Sequence, residues 1–322
     1  MSFVSELTWR GLVHQQTDER IDALMQKEKF PLYIGFDPSA PSLHVGSLLQ
    51  IVNLMRAQRA GHRPIALVGG ATGMVGDPSG KSEERKLLDA ETLAANVAGL
   101  KHTLARFLDF GDGGALLVNN HDWFAGIDCL DFLREVGKSF SVNAMVAKES
   151  VRARLEDREQ GISYTEFSYM LIQAYDFLWL YQKHGCRVQC GASDQWGNIT
   201  AGIDLVRRKS GAEVFGVTTP LVTNAAGQKF GKSEKGAVWL DAARTSPYEL
   251  YQFFLRTEDH VVGRYLRYYT FLDEAAITAI DETVKSAPEK REAQRVLARE
   301  VTTLVHGAEE AANAEERCQD AL

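Results

Sequence analysis

The sequence predicts an α/β chain, a doubly wound parallel sheet followed by an all-helical domain, and three passages carry that expectation. Residues 32–36 (LYIGF), 46–60 (GSLLQIVNLMRAQRA) and 64–70 (PIALVGG) read as strand, amphipathic helix and strand, one βαβ unit. A second alternation runs from CRVQCG at 186–191 into a helix near 195–209. From Ser246 onward only helical periodicity remains. Strands alternating with crossover helices favour a parallel sheet whose ligands lie at the carboxyl ends of its strands.

Each element has a local reason. LYIGF is a short apolar run suited to a buried strand, and Gly61 is placed to end the first helix in a left-handed cap. SYTEFSYMLIQAYDFLWLY at 163–181 opens with Ser163 and Glu166 at capping-box spacing and continues as a strongly apolar helix. LVTNAAGQKFGKSEKGAVW carries three glycines and three lysines, the composition of a loop. Beyond it PYELYQFFLR, HVVGRYLRYY, DEAAITAIDETV and a long stretch from Glu289 to His306 read as helices. The expected division is a first domain over 1–220, a linker over 221–245 and a helical domain over 246–322.

At 322 residues, 45% apolar and 25% charged, the chain has the composition of a soluble globular protein large enough for two cores. It lacks a run of about 18 apolar residues, and Glu6 and Arg10 stand where a signal peptide would be apolar. A cytoplasmic protein with no membrane partner is expected. The cysteines Cys129, Cys186, Cys190 and Cys318 form no CxxC pair, which argues against a zinc site or a disulfide framework, and no metal site is expected. Cys186 and Cys190 are expected on one face of a strand, packed as small apolar groups. A net charge of −7 speaks against indiscriminate polyanion binding. Local basic runs remain at Lys148, Arg152, Arg154 and Arg158, at Arg207, Arg208 and Lys209, and at Arg291, Arg295 and Arg299. Solvated helix faces laced with ion pairs are the plainer reading of each.

Two short motifs suggest phosphate chemistry. In PLYIGFDPSAPSLHVGS, His44 can donate to a phosphate oxygen, and Gly46 would let a nucleotide approach the N-terminus of the following helix. In KFGKS, Lys229 and Lys232 are cations on a glycine-bearing loop suited to a polyphosphate. Between them, the Asp194 carboxylate of GASDQWGN can accept from ribose hydroxyls. Tyr169, Gln173 and Asp176 fall at i, i+4 and i+7 on one stripe of the apolar helix. A solvent-facing stripe is the bland alternative. It is disfavoured because so apolar a helix is expected to be buried on most sides, where polar groups need partners.

Taken together, these motifs resemble the signatures of class I aminoacyl-tRNA synthetases, and the residues between them resemble the tyrosyl-tRNA synthetases of bacterial type. The resemblance runs from about residue 9 to residue 306. It implies a Rossmann-like catalytic domain, a helical domain on the anticodon side, and ATP-dependent activation of L-tyrosine followed by transfer to tRNA(Tyr). ATP with Mg2+ is implied as substrate, with no tightly bound cofactor. The family pattern assigns Tyr169, Gln173 and Asp77 to the ammonium of tyrosine, and Asp176 with Tyr33 to its hydroxyl. Gln189 lies near the hydroxyl side and Gln195 near the reacting carboxylate. Gly35, Asp37 and Ser39, with Gly191, Ala192 and Asp194, line the nucleotide or adenylate; for Asp37 an Asp-Pro turn is the plain alternative. GDPSGKSEER at 76–85 resembles the loop that supplies Lys81 and Arg85 to pyrophosphate, alongside His44, Ser47, Lys229 and Lys232.

Two positions depart from the family pattern. The first signature usually reads His-Ile-Gly-His and here ends in Ser47, a shorter and uncharged donor. Ala192 stands where a second glycine is usual. These departures motivate the alternative of a catalytically impaired paralogue that binds RNA or regulates. Both loop lysines, Asp194 and the stripe on the apolar helix argue against it. A tryptophanyl-type synthetase has no hydroxyl to read, so Tyr33 with Asp176 favours tyrosine. A nucleotidyltransferase for a cofactor precursor would tend to lack the helical domain. Family members of bacterial type usually continue into a further RNA-binding module, so weakened transfer to tRNA is expected of a chain ending at Leu322. They are homodimers, and residues 130–146 with Tyr164 are the expected interface.

Overall fold

The computed structural model describes residues 1–79, 87–156, 161–227, 230–233 and 236–319, with Ser150, Lys232, Ser233 and Gln319 described by their backbone alone. The strands are β1 (Gln15–Gln16), β2 (Pro31–Phe36), β3 (Arg63–Val68), β4 (Leu116–Asn119), β5 (Val188–Ala192), β6 (Phe215–Thr219), β7 (Lys232–Ser233) and β8 (Gly236–Ala237). In the first half the helices are α1 (Phe3–Trp9), α2 (Ile21–Lys27), α3 (Val45–Arg59), α4 (Ala90–Leu104), α5 (His121–Phe124), α6 (Cys129–Glu135) and α7 (Val142–Val146). They continue as α8 (Glu149–Glu156), α9 (Tyr164–His184), α10 (Trp196–Ser210), α11 (Pro247–Leu255), α12 (Asp259–Tyr269), α13 (Glu274–Ser286), α14 (Glu292–His306) and α15 (Ala308–Gln319).

Two compact units divide the chain: Met1–Ser5, Val13–Pro41 and Leu54–Pro220 form one, and Glu6–Leu12, Ser42–Asn53 and Leu221–Leu322 the other. The C-terminal segment begins at Leu221, where the sequence reading starts its linker, and two earlier segments cluster with it. Backbone hydrogen bonds supply the reason for one of them. Val45 N donates to Val238 O and Leu240 N to Leu43 O, both at 2.9 Å. For the other, the buried Arg10 guanidinium donates to the carbonyls of Arg267 and Leu272 at 3.1 and 2.9 Å.

The first unit is built on a six-stranded sheet in the order β1-β6-β5-β2-β3-β4. β2 to β6 pair in parallel, while the two-residue β1 runs antiparallel along β6. Central parallel strands are covered on both faces, so they carry near-continuous apolar runs; β3 is buried at every position but its first. The chain steps from β2 outward through β3 to β4, then returns to place β5 on the other side of β2. That reversal opens a crevice at the carboxyl ends of β2 and β5. Gly61 takes φ +85°, the left-handed conformation that lets the chain turn out of α3 toward β3.

α9 begins as read, with the Ser163 side chain accepting from Glu166 N at 3.2 Å. The reciprocal half of the capping box gives way to a stronger partner. Both Glu166 carboxylate oxygens take the buried Arg154 guanidinium, at 3.0 and 2.9 Å, in a fork that no backbone N–H can match. Arg154 is thus a structural cation, Arg158 lies outside the described residues, and several other members of the basic runs have partners. Lys148 donates to Thr200 Oγ1, Arg152 pairs with Glu149, Arg207 with Asp204 and Lys209 with Glu135. Cys186 precedes β5 rather than lying in it, and both Cys186 and Cys190 are buried.

In the second unit α11 opens with a complete capping box between Ser246 and Glu249 and a proline at its first turn. Its core includes Leu250, Tyr251, Phe254, Val262, Leu266, Tyr269, Leu297 and Val301, all buried. Phe230 packs into this core, its ring 4.8 Å from Tyr265 and 5.3 Å from Phe253 by centroid. The stretch read as one helix from Glu289 begins only at Glu292, because Pro288–Lys290 forms a tight turn ended by Arg291 at φ 51°. Gly307 ends that helix, and α15 follows as a helix the sequence reading did not include.

The Arg154–Glu166 pair is 3% and 1% exposed, so removing one partner strands a buried charge. Arg154→Met is expected to lower unfolding free energy by about 3–5 kcal/mol. Adding Glu166→Leu should recover most of it, as urea unfolding would measure. Equal stability of wild type and Arg154→Met would contradict this role.

Candidate active site

Helix α9 places Tyr169 and Asp176 in the interior, with Gln173 half-buried between them. Asp176 is 1% exposed. Asn120 Nδ2 donates to its Oδ2 at 3.1 Å and Trp123 Nε1 to its Oδ1 at 3.0 Å. Asn120 is itself fixed, since it accepts from Ala71 N at 2.7 Å and donates to Thr72 Oγ1 at 3.2 Å. Burial pushes the Asp176 carboxyl well above the usual carboxylate range; the two donors pull it back, and the charge of Asp37 adds to the rise.

Tyr33 Oη and Gln189 Oε1 are among the buried polar atoms that lack a partner among the described residues. Tyr33 and Gln189 are register neighbours on β2 and β5, so they rise from the same face of the sheet. Asp176 acts electrostatically on Tyr33, and burial holds the phenol neutral, far above its ordinary pKa. A buried polar atom left unpaired costs about 1–3 kcal/mol. A ligand hydroxyl that accepts from Tyr33 and donates to Asp176 would remove that cost.

Toward the strand ends the polar network continues. Tyr169 Oη donates to Asp37 Oδ2 at 2.9 Å, and Thr72 Oγ1 to Asp37 Oδ1 at 2.7 Å. Gln173 Nε2 donates to Gln195 Oε1 at 3.2 Å, and Gln195 Nε2 to Asp77 Oδ2 at 2.6 Å. Asn198 Nδ2 reaches Gln195 Oε1 at 3.2 Å and Asp77 Oδ1 at 3.4 Å. Burial raises the Tyr169 pKa far above its ordinary value, helped by the charges of Asp37, Asp77 and Asp176. Three carboxylates about one neutral phenol make a local potential that favours a cationic ligand group.

Gly35 is exposed near the end of β2, and Ser39 N donates to Asp37 O at 2.8 Å. Gly191 and Ala192 end β5, and Asp194 lies in the turn Ser193–Gln195. A Cβ at Gly191 would stand 3.1 Å from Gln195 Cβ, so that glycine admits Gln195 to the strand. These residues share the first unit with the pocket.

In the second unit, His44 Nδ1 accepts from Gly46 N at 3.0 Å, and Ser47 N donates to His44 O at 2.8 Å. A Cβ at Gly46 would lie 2.6 Å from His44 Cε1 and 3.0 Å from Phe230 O. The sequence reading attributes this glycine to a nucleotide's approach; His44 and the Phe230 carbonyl also crowd a side chain there. The Lys232 backbone pairs with Ala237 across β7 and β8. Lys81, Arg85 and Lys229, and the side chain of Lys232, lie outside the described residues.

Sequence reasoning missed Asn120, Trp123, Thr72 and Asn198. A signal for the first was present, since the polar pair Asn119-Asn120 closes an apolar strand, and carboxyl ends of parallel strands are where ligands bind.

A parallel sheet with its switch point between β2 and β5, a buried polar cluster at those strands and a helical second unit are the architecture of a class I synthetase. The family described as tRNA synthetases class I (W and Y) matches residues 25–322, and the chain belongs to it. It is 55% identical to the tyrosine–tRNA ligase of Roseiflexus castenholzii, over 99% of this chain and 75% of that protein. It is 57% identical to that of Geobacillus stearothermophilus, over 100% of this chain and 77% of that protein. Among solved structures, a C-terminally truncated mitochondrial tyrosyl-tRNA synthetase from Aspergillus nidulans superposes with a TM-score of 0.90 at 33% identity, covering 100% of this chain and 94% of that one.

The raised Asp176 pKa fixes a sign for pH dependence. The folded protein holds this proton more tightly than the unfolded chain, so the group's contribution is complete below the ordinary value of 3.8 and declines as pH rises through the folded value. Asp176→Asn removes that decline. Its stability relative to wild type should therefore rise with pH above 3.8, as urea unfolding across a pH series would record; a constant difference would contradict the shift.

Proposed function

We propose that this chain activates L-tyrosine with ATP to tyrosyl-adenylate and transfers the tyrosyl group to tRNA(Tyr). The observation that carries this reading is Asp176, held by Asn120 and Trp123, together with the Tyr33 hydroxyl, which has no partner among the described residues. A pocket that ends in a buried acceptor and a buried donor suits a side chain ending in a hydroxyl.

In this reading Asp176 and Tyr33 take the phenol hydroxyl, with Gln189 beside them. Tyr169, Gln173 and Asp77 take the ammonium, and Gln195 orients the carboxylate. Asp194 accepts from the ribose hydroxyls, while Gly35, Asp37, Ser39, Gly46, Gly191 and Ala192 line the nucleotide. The tyrosine carboxylate oxygen attacks the α-phosphorus, and the bond to pyrophosphate breaks. Charge accumulating on the phosphates is met by His44, Ser47, Lys81, Arg85, Lys229 and Lys232, and the Mg2+ that accompanies ATP is part of that substrate. A ribose hydroxyl of the tRNA then attacks the acyl carbon, and AMP leaves. No covalent enzyme intermediate is needed, so rate depends on positioning and electrostatics.

Exchange of pyrophosphate into ATP tests the first step. It is expected with tyrosine and not with phenylalanine or tryptophan; exchange with none of the three would overturn the reading. Lys232→Ala should slow exchange by about a hundredfold while tyrosine affinity holds. Loss of tyrosine affinity in that variant would move the lysine out of the phosphate role.

Homodimerisation is proposed through α6, α7 and Tyr164. Leu130, Val142 and Tyr164 are 69, 62 and 73% exposed, and such apolar exposure suits burial by a second copy. Sedimentation should give a dimer that Leu130→Glu shifts toward monomer; a monomeric wild type would contradict it. No helix among the described residues is long and apolar enough to cross a membrane, and a cytoplasmic location with no membrane partner is part of the same reading.

A further inference from the structure

The two donors that hold Asp176 are secured differently. Asn120 is clamped through its own amide, which bonds Ala71 N and Thr72 Oγ1. Trp123 stands on α5, a helix of four residues, and its indole has one hydrogen bond, the one to Asp176. Ring packing has to set its plane. The neighbour that does so is Trp179, which lies one turn after Asp176 on α9, at i+3 on the same side of the helix. The Trp123 and Trp179 rings are 4.1 Å apart by centroid and within 14° of parallel. His184 meets the Trp179 ring edge-on at 5.6 Å and 62°.

We propose that Trp179 is a positioning residue for amino-acid specificity: its stack on Trp123 fixes the indole N–H on Asp176 and thereby the carboxylate's place at the substrate hydroxyl. The inference rests on the reading that Asp176 meets that hydroxyl. An indole turns about two side-chain torsions, and a hydrogen bond weakens steeply as it loses alignment. Trp123 is buried and Trp179 half-buried, so a flat face at position 179 both restrains the indole and keeps water from its outer side. Without it the N–H swings away, the carboxylate is held on one oxygen only, and its advantage for a hydroxyl-bearing side chain falls. Trp179 is none of the groups assigned to tyrosine, so its removal deletes no polar group that would meet the substrate and acts only through the placing of Asp176.

The test is pyrophosphate exchange with tyrosine and phenylalanine for wild type, Trp179→Ala, Trp179→Phe and Trp123→Phe. Trp179→Ala should lower the tyrosine-over-phenylalanine ratio of kcat/KM by about fivefold. The loss should lie in KM for tyrosine, with kcat at saturating tyrosine unchanged. Trp179→Phe, which keeps a flat ring, should restore most of the ratio. In the Trp123→Phe background, Trp179→Ala should change the ratio no further, since its effect passes through the indole. If Trp179→Ala fails to fold, Trp179→Leu keeps volume without a flat face, and the same drop is expected. An unchanged ratio, or equal losses for both amino acids, overturns the inference. A wild type that does not prefer tyrosine removes instead the reading beneath it.

Discussion

A carboxylate with almost no access to water is costly unless hydrogen-bonded, and much of this structure serves to make one tolerable at Asp176. Its two oxygens are met by Asn120 from the end of β4 and Trp123 from α5, while α9 supplies the residue itself. Asn120 in turn ties to Ala71 and Thr72, which follow β3, and Thr72 ties to Asp37, which follows β2. The same carboxylate thus links the polar ends of three adjacent strands with the helix beside them. Tyr33 Oη and Gln189 Oε1, on neighbouring strands of that sheet, have no partner among the described residues.

Topology explains why these groups meet. The chain leaves β2 toward β3 and β4, then returns to β5, so the crevice beside β2 gathers residues from widely separated stretches. Asp77 follows β3, Gln195 and Asn198 follow β5, and Tyr169 and Gln173 come from α9, yet they meet in two hydrogen-bonded groups, Tyr169 with Asp37 and Gln173, Gln195 and Asn198 with Asp77. The network is acidic at the strand ends and neutral at the buried end, apart from Asp176. That polarity suits an amino acid lying with its ammonium outward and its side chain inward.

Local periodicity made part of this legible before any coordinates. The stripe of Tyr169, Gln173 and Asp176 follows from helical spacing alone, as does α3 between β2 and β3. Partners across the sheet were not legible, because Asn120 and Trp123 lie 56 and 53 residues from Asp176 and only strand order joins them. The Ser163–Glu166 spacing signalled a helix start correctly, but a local pattern does not reveal that Arg154 takes the glutamate instead. Gly46 fits a nucleotide motif by sequence, but its crowding by His44 and the Phe230 carbonyl arises only once the chain has folded.

The central claim is that the buried end of the pocket reads a hydroxyl through Asp176 and Tyr33. Calorimetric titration of the wild type and Tyr33→Phe with tyrosine and with phenylalanine, in the absence of ATP, tests it most directly. The account predicts that tyrosine binds more tightly than phenylalanine to the wild type, and that the gap narrows in Tyr33→Phe. Equal affinities in the wild type, or a gap untouched by the substitution, would contradict it.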